Sequence, residues 1–186
     1  MKAIVNSIKE ALGAKNYFGA LFMALTIPDI CASIDNPDEK NNGVRYKKWF
    51  HDNLKHKYYP DTLLELIESN NPKSAEQLDE YTKEDLRATP VGEVAFTDVM
   101  CWKLRCSVLH AGSTDAGKYS FHLTHGGSHQ NVINGVLQIS VVRFCQDICS
   151  AFELWCEKNI GNIDVQRRLD EGMRIQNDIG NGVCFE

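Results

Sequence analysis

Apolar residues recur along this chain mostly at the three-and-four spacing of helices. Ile4, Val5, Ile8 and Leu12 predict a first helix over residues 1–12, closed by Gly13. Tyr17, Phe18, Leu21, Phe22, Leu25, Ile27 and Ile30 predict a second over 16–34. Helix fits there as far as Thr26, after which Pro28 opens a new first turn or forces a kink. The stretch DNPDEKNNG at 35–43 is loop by composition. Val44, Trp49, Phe50 and Leu54 then mark an amphipathic helix, with Lys47, Lys48, Lys55, His56 and Lys57 on its basic side. A short apolar segment at 61–69 precedes a polar stretch, 70–93, read as an exposed connection with one helical turn near 74–87.

The second half begins with a clear start signal. Thr97-Asp98 offers an N-cap and an acidic first turn, and Ala111-Gly112 offers a stop, so a helix is expected over about 98–110. The period then drops to two. Tyr119, Phe121 and Leu123 alternate with polar residues, and GVLQISV at 135–141 reads as a second strand beyond the turn-rich GGSHQN. Val141, Phe144, Cys145, Ile148, Phe152 and Trp155 form the stripe of a long core helix ending at Gly161, and 164–178 make a last, more polar helix. The expected fold is therefore mainly α: a helical bundle in a single domain, 1–186, with a small antiparallel β-hairpin inserted at about 118–141.

Composition adds limits. A chain of 186 residues with 43% hydrophobic and 24% charged residues is long enough for one sizeable core. No apolar run approaches the roughly 20 residues needed to span a bilayer, and the N-terminus lacks a signal-peptide pattern, so no membrane role is expected. Seven cysteines, an odd number without a Cys-x-x-Cys pair, favour reduced thiols and a cytoplasmic location. Cys145 and Cys149, four apart, are read as packing residues. The net charge of −5 gives no bulk attraction for nucleic acid, so any such chemistry must come from a local basic site.

One such site is suggested by MCWKLRCSVLH, 100–110, where Arg105 and His110 interrupt an apolar helix. Arg binds phosphate in a bidentate fork, and His exchanges protons near neutral pH. Together they supply what phosphodiester cleavage by a neighbouring 2′-OH requires, with no metal and no cofactor. Five residues advance a helix by a net angle of about 140°, so the two side chains do not share a face. They converge only if the last turn unwinds, if both side chains bend to one cleft, or if a second copy packs across a two-fold axis. The competing reading makes Arg105 a structural ion-pair partner and His110 a cap on its own helix.

The stretch LRCSVLH, on a helix ending in Gly112, resembles the Arg-x4-His motif of the HEPN superfamily. LTIPDICASID and RYKKWF likewise resemble a bacterial family carrying an LRC-x-x-LH-x-G signature. The likeness covers about 16–60 and 97–158. It implies a four- or five-helix bundle, a homodimer, and metal-independent endoribonuclease activity of the kind found in toxin–antitoxin and anti-phage systems, with RNA as substrate and an antitoxin protein as partner. It assigns Arg105 to the phosphate and His110 to acid–base work. Cys106 departs from the Asn or Asp often found after the motif arginine, which weakens the hydrogen bonding expected there. A non-catalytic nucleotide- or protein-binding module is the alternative.

Other residues enter as lesser candidates. Asp29, after Pro28, is a helix cap or a partner of Arg45 or Arg105. Arg45 and Cys106 are placed in the lining of the site, and Cys106 is not expected to be a nucleophile. Arg45, Tyr46, Lys47, Lys48 and Trp49 read as an amphipathic helix with Trp49 in the core and the lysines in solvent, with an RNA path as the alternative. His122, His125 and His129 read as solvent-exposed residues around a Gly-rich turn and not as metal ligands.

Overall fold

Five of the expected helices are present in the computed structural model, which describes residues 2–91, 96–172, 179–180 and 183–184. They are α1 (Lys2–Gly13), α2 (Tyr17–Asp35), α3 (Asn42–Tyr58), α7 (Asp98–Ala111) and α8 (Val141–Lys158), and the apolar segment at 61–69 forms a further one, α4 (Leu63–Asn70). Between α4 and α7 lie two short helices, α5 (Pro72–Glu76) and α6 (Glu80–Ala88), where the sequence suggested a single turn. α6 buries no residue, in keeping with an exposed connection. Beyond α8 comes α9 (Ile163–Asp170). The rest of the helix expected at 164–178 falls largely outside the described residues.

Local chemistry sets the ends. Asn16, Asn41, Thr62, Thr97, Ser140 and Asn162 each accept a backbone N–H of the first turn through a side-chain oxygen. α7 closes on Gly112, whose φ of 60° lets its N–H return to Ser107 and Val108. α8 closes at Asn159, two residues before the expected Gly161.

α2 runs through Pro28 as one helix. The proline removes one backbone bond, the one to Ala24, but Ala24, Leu25, Ile27, Pro28 and Cys31 are all buried. Tertiary packing of the segment outweighs the missing bond. By length and composition α2 is apolar enough to cross a membrane, contrary to the expectation that no run approached that length, and half of it is buried inside the protein. It packs against α1, α3 and α8, and more lightly against α7 and α9.

The inserted hairpin is corrected to a mixed four-stranded sheet. β1 (Asp115–Ala116), β2 (Tyr119–Thr124), β3 (Asn131–Ile133) and β4 (Val136–Ser140) lie in the order β1-β2-β4-β3. The two expected strands, β2 and β4, do pair, but in parallel, with Phe121 opposite Leu137 and Leu123 opposite Ile139. The cause is Asn134-Gly135, whose φ values of 52° and 78° form a tight reversal between β3 and β4. That reversal turns β4 back between β3 and β2 in the direction of β2. A separate antiparallel pair joins β5 (Ile179–Gly180) to β6 (Val183–Cys184).

One core joins the helices and the sheet: Leu21, Leu25, Tyr46, Phe50, Phe96 and Phe144 are fully buried within it. Cys31, Cys101, Cys145 and Cys149 are buried thiols, and Cys106 and Cys156 are partly exposed. Burial raises the Cys145 thiol to about 12 and the Cys149 thiol to about 11, which keeps both protonated and inert.

Candidate functional site

Arg105 is the centre of a three-residue chain of polar contacts. Its Nε donates to Asp29 Oδ2 at 2.8 Å, and Nη2 lies 2.8 Å from the same oxygen. Its Nη1 lies 2.9 Å from His110 Nε2. A guanidinium has donors only, so in this contact Nε2 accepts and the imidazole proton sits on Nδ1. The pairing occurs within one chain and on an intact helix, since α7 continues to Ala111. Neither unwinding nor a second copy is required: the long Arg105 side chain spans the angle between the two positions.

Two elements fix this geometry. α2 supplies Asp29, directly after the buried Pro28. α7 supplies Arg105, His110 and also Trp102, three residues before Arg105 and on the same side of the helix. The Arg105 guanidinium carbon stands 5.2 Å from the centre of the Trp102 ring, within cation–π range. Trp102 is itself held by a tilted contact with Tyr46 and by close packing on Gly43, where a Cβ would come within 3.1 Å of the indole. Tyr46, fully buried, meets Cys101 through its hydroxyl at 3.3 Å. Trp102 was missed in the sequence, although its three-residue spacing from Arg105 was a usable signal.

The electrostatics are those of a partly covered ion pair. The Asp29 and Arg105 side chains are 21% and 18% exposed, whereas His110 is exposed. Burial raises the Asp29 carboxyl from its ordinary value of 3.8, and the charges of Arg105, Arg45 and His110 oppose that rise without cancelling it.

The lesser candidates divide. Asp29 is joined to Arg105 and is not a helix cap. Arg45 donates from Nη2 to Asn42 Oδ1 at 2.5 Å, and its charge lowers the Asp29 pKa. Cys106 is a half-buried free thiol. Tyr46 and Trp49 are 0% and 2% exposed, so they offer no surface for base stacking.

His122 and His125 are exposed, and His125 stacks on Tyr17 at 5.4 Å. His129 is corrected: its side chain is almost wholly enclosed. The Ser140 N–H donates to its Nδ1 at 3.2 Å, and its ring meets Tyr58 edge-on. Tyr58 donates to Asp147 at 2.9 Å, and Lys57 pairs with the other oxygen of that carboxylate. Burial lowers the His129 pKa from 6.5, and Arg143 and Lys57 lower it further against the pull of Asp147. This second polar cluster joins α3, the sheet and α8.

Among the described residues no group of three or more His, Cys, Asp or Glu is arranged to hold a metal ion. A cavity of about 770 Å³ opens between α1, α8 and α9, and none of its lining residues belongs to the Arg105 group. No protein-family model, curated protein or solved structure matches this chain.

Proposed function

We propose that this protein is a metal-independent endoribonuclease of the HEPN type, acting through Arg105 and His110. The observation that carries the reading is the 2.9 Å contact between Arg105 Nη1 and His110 Nε2 at the open end of α7. A permanent cation and a proton-exchanging ring stand side by side there, where a phosphodiester has access.

In this mechanism an RNA phosphate takes over the outward Nη donors of Arg105. Nε2 of His110, released from Nη1, accepts the proton of the adjacent 2′-OH. The 2′-oxygen bonds to phosphorus and the bond to the 5′-oxygen breaks. The imidazolium then returns its proton to the leaving 5′-oxygen. The products are a 2′,3′-cyclic phosphate and a 5′-OH. Arg105 stabilises charge on the phosphorane oxygens, and Asp29 and Trp102 hold the guanidinium in place. The same reading makes the protein a cytoplasmic homodimer, and a toxin or anti-phage factor with an antitoxin partner.

A second reading has its own observation. Asp29 already occupies two of the Arg105 donors, which suits a non-catalytic binding module whose Arg105 is structural. The enzyme reading requires RNA cleavage that survives chelation and disappears in both Arg105→Ala and His110→Ala, with helix content unchanged by circular dichroism. The binding reading requires no cleavage by wild type and altered partner binding in the same variants.

A further inference from the structure

A small cavity of about 60 Å³ lies where the C-terminal end of α2 meets the first half of α3. Arg45 and Trp49 line it from α3, where they stand one turn apart on the same face. Asp35, the last residue of α2, lines it from the other side, together with Glu39 in the loop that follows. Lys48 and Asp52 also border it and pair with each other at 2.6 Å. The volume suits a group about the size of two water molecules.

Two buried donors on this wall have no acceptor. Trp49 is 2% exposed, and its Nε1 meets no acceptor among the described residues. The same holds for Nε of Arg45, whose Nη2 already donates to Asn42. Elsewhere the rule is kept: the enclosed indole of Trp155 donates its N–H to Asp35 at 2.9 Å. A buried N–H normally finds a partner, because leaving it unmet costs the full desolvation of the group. Two such donors on adjoining side chains of one cavity wall mark a place that takes an acceptor from outside the chain.

The mouth of the cavity has the opposite character. Asp35 is exposed where Trp49 is buried, and Asp35, Glu39 and Asp52 outnumber Arg45 and Lys48. Asp35 also sits at the negative end of the α2 dipole. Glu39 accepts the Asn41 N–H at 2.7 Å and Asp35 accepts the Trp155 indole, but a carboxylate has about four acceptor positions, so each can take a further donor. A bare anion would meet the two buried donors and be repelled by the carboxylates. A bare cation would suit the carboxylates and leave the buried donors unmet. A small ligand with an acceptor at one end and an ammonium at the other answers both.

We propose that this cavity binds a small zwitterionic α-amino acid, with its carboxylate on the Trp49 and Arg45 N–H groups and its ammonium at Asp35 and Glu39. The site is separate from the Arg105–His110 pair, and the proposal does not depend on the RNA reading. The carboxylate fills the enclosed part of the cavity, and the side chain of the amino acid points out through its mouth.

The test follows the three indole N–H signals in nitrogen–proton correlation spectra of the full chain while glycine or alanine is added. Trp49→Phe identifies the signal of residue 49 by its loss. Acetate and methylammonium, each carrying one half of the ligand, serve as controls. The proposal expects a saturable shift of the Trp49 signal with both amino acids, no shift of the Trp102 signal, and little response to either control at the same concentration. Arg45→Lys, which keeps the charge and removes the Nε donor, should weaken glycine binding about tenfold. Glu39→Gln should also weaken glycine binding and should strengthen the response to acetate. Arg45 and Glu39 lie outside the core, so these two variants read the site even where Trp49→Phe disturbs the fold, and circular dichroism checks each. No saturable shift with either amino acid overturns the proposal. Acetate acting as strongly as glycine overturns it in favour of a plain anion site. A glycine shift that both Arg45→Lys and Glu39→Gln leave unchanged places the ligand elsewhere and overturns it as well. So does a long-lived water seen beside the Trp49 N–H in saturating glycine, since that donor then serves solvent.

Discussion

Arg105 Nη1 lies 2.9 Å from His110 Nε2, although the two residues are five apart on one unbroken helix. The contact depends on reach: a guanidinium on a long flexible stem bends toward an imidazole in the last turn. Asp29 anchors the opposite edge of the guanidinium, so the fork is held from two sides.

Removing that anchor has a measurable cost. Asp29→Ala leaves a largely covered guanidinium without its carboxylate and is expected to destabilise the protein by about 1–3 kcal/mol. Urea unfolding at pH 7 measures it. An unchanged midpoint would mean that Asp29 does not hold Arg105.

The same residue gives a pH dependence. Burial raises the folded-state pKa of Asp29 above 3.8, so the folded protein holds this proton more tightly than the unfolded chain does. Its titration therefore favours folding at low pH, and that contribution is lost as pH rises from about 4 through the folded value. The stability of wild type relative to Asp29→Asn should fall across that window and then level off. A difference that grows with pH would give the shift the opposite sign.

His129 gives the opposite slope. Its folded pKa is lowered from 6.5, chiefly by burial, so the unfolded chain binds this proton more tightly. Stability should be lost as pH falls below about 6.5, and His129→Phe should lose less over the same range. Urea midpoints between pH 5 and 7 test this, and an NMR titration of the His129 ring should show a midpoint below 6.5.

The indole beneath Arg105 is open to test from a distance. In Gly43→Ala the new Cβ would stand 3.1 Å from the Trp102 indole, which already contacts Tyr46 and Arg105. The expected result is a loss of about 1 kcal/mol in stability and a shifted tryptophan emission. A variant as stable as wild type, with unchanged emission, would show that the ring moves freely.

Much of this was legible in the sequence where local rules act alone. The helix from Thr97 to Gly112 was marked by its cap, its acidic first turn and its glycine stop, and the apolar stripe of α8 by its period. The sheet was only half legible. Both long strands were visible, but their relative direction depends on the Asn134-Gly135 reversal, a shorter turn signal than the glycine-rich link at Gly126-Gly127. Pro28 was read by its local preference, which the burial of its neighbours overrode. At the site, Arg105 and His110 were found from residue chemistry and the resemblance, while their separation by helical angle argued against contact. Helical angle fixes Cβ directions and not the reach of a long side chain. The enclosure of His129 depends on residues from α3 and α8 distant in sequence, so no local pattern could show it.

The central claim is that Arg105 and His110 cleave RNA, and the most direct measurement is single-turnover cleavage of an RNA in excess chelator, with the product ends identified by mass spectrometry. The account predicts 2′,3′-cyclic phosphate ends from wild type and a rate lower by about 10²–10⁴-fold in His110→Ala. No cleavage by wild type, or cleavage undiminished in His110→Ala, would contradict it.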